Sequence, residues 1–109
     1  MNAKELENKA EKALHFLHQE AGTHAIARAQ ADHMAEFVKL EKARIAGMCV
    51  GMSQAASESE ALRHPDYQNA LENLKTARVI WYEANFKREA ADAIIGAWQT
   101  CCANERRSV

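Results

Sequence analysis

Five histidines and three cysteines are the side chains with the most chemistry to offer. His15 and His18 stand three apart, on one face of any helix that carries them, and His24 and His33 lie in the next segment. Zinc would need further ligands brought in by the fold, and nothing is spaced like Cys-x-x-Cys or a comparable zinc motif. The expectation is surface or hydrogen-bonded histidines, with no metal and no cofactor. Cys101 and Cys102 are neighbours, which cannot bridge each other in a helix without distorting it. They fall near a helix C-terminus, where the negative end of the dipole opposes a thiolate. Arg106 and Arg107 complement that same end. With Cys49 the thiols are odd in number and read as reduced packing residues of a cytoplasmic protein.

Carboxylates are plentiful, but no pair sits in an apolar setting where one could act as an acid and the other as a base. Glu41 is a charge in an otherwise apolar stripe, and Arg88 is its counterpart further along. Either the two meet across an interface and fix register, or each reaches solvent at the stripe's edge.

Basic residues beside aromatics can hold single-stranded nucleic acid by phosphate contact and base stacking. Lys39, Lys42 and Arg44 cluster in one stretch. Lys75, Arg78 and Lys87 dot another, and Arg106 and Arg107 close the chain. Trp81, Tyr82, Phe86 and Trp98 lie among the later group. These eight cations are the candidate contacts to single-stranded DNA. Against them, Glu36, Glu41, Glu72, Glu83 and Glu89 interleave as on any solvated helix, and Trp81 and Trp98 fall on an apolar stripe. The formal net charge is −1 and the pI about 6.5, so no bulk basic excess holds a polyanion. In an oligomer, modest patches repeat and add. No Gly-rich phosphate loop, nucleophile elbow or metalloprotease helix motif is present, and a non-enzymatic role is expected.

The elements that position these residues are helices. A chain of 109 residues reads as a single domain, 1–109, rich in Ala, Glu, Lys, Arg and Leu with one proline. Asn2 is a candidate N-cap for a first helix over about 3–21, with Leu6, Ala10, Ala13 and Leu17 as its stripe. Gly22 is a natural stop and Thr23 a new cap. The alternative, one helix through Gly22, would cost about 1 kcal/mol relative to alanine. A second helix over about 23–49 carries Ala27, Ala31, Met34, Val38, Glu41, Ile45 and Met48. Gly47 and Gly51 then interrupt, and Ser53 or Ser57 caps a short helix ending near 63. Pro65 and Asp66 open a long helix over about 65–104, with His64 as N-cap. Its seam steps alternately by four and three: Ala70, Leu74, Ala77, Trp81, Ala84, Arg88, Ala91, Ile95, Trp98, Cys102. Such a repeat is the packing line of a helix laid lengthwise on another. The fold class is all-α: a long antiparallel helical hairpin with an extra N-terminal helix and coiled-coil-like packing. Met34, Val38, Ile45, Leu74, Trp81, Arg88, Ile95 and Trp98 form its packing and oligomer seam. A rod of about 60 Å is too long for so small a chain to cover, so a homo-oligomer is expected. No apolar run is long enough to span a membrane.

The phrases Ala61-Leu-Arg-His-Pro-Asp-Tyr67 and Ala70-Leu-Glu-Asn-Leu74, and the close Ala97-Trp-Gln-Thr…Ala103-Asn-Glu-Arg106, resemble a loose group of small, all-helical bacteriophage proteins. The likeness spans roughly residues 13 to 107 and brings no catalytic residues with it. It implies a setting near phage recombination and replication, analogous in shape to the UvsY recombination mediators of T-even phages. The expected role is an oligomeric accessory factor with weak single-strand DNA contact. The alternative is a protein-binding inhibitor of a host defence or regulatory protein.

Overall fold

The computed structural model describes residues 2–108, the side chain of Ser108 aside. Among them it has three helices and no strand: α1 (Ala3–Gly47), α2 (Gln54–Arg63) and α3 (Pro65–Ser108). The long helices α1 and α3 pack on each other as an antiparallel hairpin, so the all-α hairpin expected from the seam spacing is the fold observed.

The helix starts follow local chemistry. Asn2 caps α1: its Oδ1 accepts from the Glu5 backbone N–H at 2.8 Å, and its Nδ2 donates to Glu5 Oε1 at 3.3 Å. The first bond satisfies one free N–H of the first turn, and the second ties the two side chains together. Of the two serines eligible to open α2, Ser53 does so, accepting from the Ala56 N–H at 3.2 Å. His64 caps α3 with its ring. Its Nδ1 accepts from the Asp66 N–H at 3.1 Å, and its carbonyl accepts from the Gln68 N–H. Between α1 and α2 the chain turns through Gly51, whose φ of +79° is one that L side chains rarely adopt.

The break expected at Gly22 does not occur. α1 runs through it for 45 residues, and the separate N-terminal helix is the first half of α1. The reason is phase. Leu17, Glu20, His24 and Ala27 continue the four-three stepping across Gly22 without a slip. The phase of Leu6, Ala10, Ala13 and Leu17 is therefore the phase of Ala27, Ala31, Met34 and Val38. The packing of that line outweighs a local penalty of about 1 kcal/mol.

The chain forms two compact units. In the unit spanning Ile26–Trp81, Val38, Ala70 and Leu74 make a buried cluster with Met34, Ala35, Tyr67 and Leu71 packed on it. Ala27, Ala31, Ile45 and, from α2, Ser57 and Ala61 are also buried. The second unit joins the N-terminal half of α1, through Ala25, to α3 from Tyr82 onward. Ala10, Ala13 and Ala91 are buried there, and Phe16, Leu17, Ile95 and Trp98 are half-buried. His24 Nε2 lies 3.4 Å from Asn85 Oδ1, a polar contact between the two helices.

The α3 seam carries alanine at every seventh residue: Ala70, Ala77, Ala84 and Ala91. Ala70 is 1% exposed and Ala91 5%. So small a side chain at the closest approach lets two helix axes come near each other. Arg88 shares the seam register and is exposed.

Candidate nucleic-acid interface

An antiparallel pair keeps equivalent positions of its two helices on the same side of the seam. The unit Ile26–Trp81 thus has two long edges, and they differ in chemistry. Arg28, Asp32, Ala35, Lys39, Lys42 and Ala46 form one stripe of α1. Gln68, Leu71, Lys75 and Arg78 form the matching stripe of α3. Ala35 and Leu71 both pack on the buried cluster, as flanking positions of one edge should. This edge brings together Lys39, Lys42, Lys75 and Arg78 from the expected set and adds Arg28, against one carboxylate, Asp32. Arg28, Lys39, Lys75 and Arg78 are exposed. Lys42 is half-buried, its stem on the apolar surface. From Arg28 to Lys42 the edge extends about 20 Å along α1.

The opposite edge carries Ile26, Gln30, His33, Phe37, Leu40 and Arg44 from α1, and Asp66, Asn69, Asn73, Thr76 and Ile80 from α3. Arg44 and Asp66 meet across the hairpin at 3.1 Å, which fixes the pairing of these two stripes directly. Arg44 also holds both Glu41 oxygens at 2.9 Å. That bidentate bond lowers the Glu41 carboxyl below its ordinary range, with the Arg44 charge and then His64 acting in the same sense, and it raises the guanidinium in turn. Glu41 therefore takes Arg44 of its own helix as its partner, not Arg88. Arg44 is committed to two carboxylates and stands apart from the basic edge.

The remaining cations are scattered. Lys87, Arg106 and Arg107 are exposed on the second unit, as are Tyr82 and Phe86, at 49% and 68%. Trp81 and Trp98 are half-buried on the seam. Lys39 Nζ touches Glu36 at 3.2 Å, a solvent-exposed pair of little energetic weight that leaves the amine free to exchange partners.

A shallow groove near the turn is lined by Ile45, Met48, Cys49, Glu60, Arg63, His64 and Pro65. Its polar groups are already engaged. Arg63 pairs with Glu60 at 3.2 Å, Cys49 Sγ donates to the Ile45 carbonyl, and the His64 ring caps α3. His15, His18 and His33 are exposed. Among the described residues no three His, Cys, Asp or Glu side chains gather where they could hold a metal ion. No helix there is long and apolar enough to cross a membrane.

Spacing alone did not single out Arg28, nor did it separate Arg44 from Lys39 and Lys42. The signal was present once the two seams were aligned. Residues one step past Ala27, Met34 and Glu41 share a side with those one step past Ala70 and Ala77. In comparisons with known proteins, no family model, no curated protein and no solved structure matches the chain.

Proposed function

We propose that the protein is a non-enzymatic, oligomeric accessory factor in phage DNA recombination or replication, and that it holds single-stranded DNA weakly along the basic edge. One observation carries the reading: Arg28, Lys39, Lys42, Lys75 and Arg78 share a side of the hairpin, with Asp32 in their stripe and Glu36 paired to Lys39 beside it. A local run of cations tracks a phosphate backbone even when the whole chain is near neutral. The phage setting rests on the resemblance described above.

The test is fluorescence anisotropy with a labelled oligo-dT at 50 and 200 mM salt. Each neutralised phosphate contributes about −0.7 to the salt slope on a single strand, so five cations predict roughly a hundredfold weakening over that range. Lys75→Gln with Arg78→Gln should flatten the slope by about 1.4. Lys87→Gln with Arg106→Gln should leave it unchanged. Absence of binding at 50 mM sinks the proposal and leaves the inhibitor of a host protein as the reading to pursue. Binding that the Lys75/Arg78 variant does not affect sinks the assignment of the edge.

A further inference from the structure

We infer that the basic edge of the Ile26–Trp81 unit takes an extended, unstacked strand in register, one cation to each phosphate, and leaves its bases free; this rests on the single-strand reading above and adds how the strand is held. The alignment of the two helices supplies the first observation. Arg44 meets Asp66 at 3.1 Å, and Val38 packs with Ala70 and Leu74. In an antiparallel pair that alignment sets Asp32 level with Arg78 and Ala35 level with Lys75. Along the axis the cations therefore come in the order Arg28, Arg78, Lys75, Lys39, Lys42, alternating between steps of four and three residues. At 1.5 Å per residue the mean step is about 5 Å. α1 alone leaves a gap between Arg28 and Lys39, and the two cations of α3 fall inside it.

That spacing selects a conformation. Successive phosphates of a stacked strand in a duplex rise about 3.4 Å along its axis, and the strand winds away from a straight edge. A row stepped at about 5 Å is out of register with it. It matches a strand whose bases have unstacked and whose backbone is drawn out. The second observation is that the row is uncommitted. Among the described residues, the side chains of Arg28, Lys42, Lys75 and Arg78 make no ion pair or hydrogen bond, and Lys39 alone of the row has a partner, the exposed Glu36. Asp32 is level with Arg78 without pairing to it, so it stands in the strand's path as a like charge. The third observation is what lies between the cations. Ala35, Ala46, Gln68 and Leu71 include no aromatic, so the row offers charge to phosphates and no flat ring to a base. Bases on a strand so held face away from the edge and stay available for pairing.

Fluorescence anisotropy at 50 mM salt with three probes of equal length tests this: labelled oligo-dT, an abasic strand with the same backbone, and a dA·dT duplex. Oligo-dT and the abasic strand should bind within about twofold of each other, since even one stacked base is worth about fivefold or more. The duplex should bind roughly tenfold more weakly than either, against the order of charge density. Asp32→Asn, at an exposed position, should tighten both single strands severalfold. Asp92→Asn, the same change of charge at an exposed position of the other unit, should not. No binding of oligo-dT overturns both this and the function proposed above. Binding of oligo-dT with a loss of about fivefold or more on the abasic strand, through stacking on Tyr82, Phe86 or any other ring, overturns the backbone register alone. So does a duplex that binds as tightly as oligo-dT, or an Asp32→Asn variant that binds no better than Asp92→Asn.

Discussion

Gly22→Ala should stabilise the protein. Gly22 lies inside α1, is exposed, and a Cβ built on it meets nothing within 4 Å. The substitution therefore adds no clash and removes no contact. Its effect reduces to the helical preference of alanine and the smaller entropy of the unfolded chain, together about 1 kcal/mol. For a chain of this size that corresponds to a rise in Tm of about 4–8 °C. Urea melts followed by circular dichroism at one fixed protein concentration read it directly. Two companions calibrate the result. Gly96 lies inside α3 with the same open surroundings, so Gly96→Ala should gain a similar amount. Gly51 has φ +79°, so Gly51→Ala should lose about 1–2 kcal/mol in the left-handed region. If Gly22→Ala is neutral or destabilising while Gly96→Ala stabilises, α1 is not continuous through Gly22 in solution, and the phase account of its continuity fails.

Three further substitutions address the core, the exposed face of α3 and the Glu41–Arg44 pair. Leu74 is 7% exposed in the cluster with Val38 and Ala70, so Leu74→Ala should cost about 2–3 kcal/mol, the low end of buried leucine truncations because a two-helix core collapses readily. Val79→Ala, at a position 48% exposed, should shift the same melts by less than about 0.5 kcal/mol. Glu41 has a lowered carboxyl in the folded state, so its contribution is present above the ordinary value of 4.5 and is lost as pH falls below that through the depressed one. Glu41→Gln should therefore destabilise at pH 7, and the gap to wild type should close as pH drops below 4.5. A gap independent of pH would mean that Glu41 acts by packing rather than charge.

The hairpin was legible because α3 announces its seam from Ala70 to Cys102 with only Arg88 breaking it, and opens on His64-Pro65-Asp66. The α1 seam was harder to follow. Glu20 and His24 occupy seam positions, and their polarity beside a glycine mimics the end of a helix. Only the phase shared by Leu17 and Ala27 shows that the helix continues. The basic edge was legible as residue types but not as a site. Lys39 and Lys75 share a side only through the antiparallel pairing of two helices, a fact that neither helix contains alone. Arg44 illustrates the converse. It lies only two residues from Lys42 in sequence, yet two residues turn a helix by about 200°, which sends it to the other edge and into the reach of Glu41 and Asp66.

The four alanines at 70, 77, 84 and 91 have a consequence for how this chain can drift. A seam set by its smallest side chains inverts the usual ranking of tolerance. A half-buried tryptophan such as Trp98 can shrink and leave a gap that neighbours partly fill. An alanine at the closest approach cannot grow by even two methyl groups without pushing the helices apart along their length. Among descendants of this sequence, the positions that look most ordinary should be the ones least free to change, while the aromatic residues that draw the eye should vary.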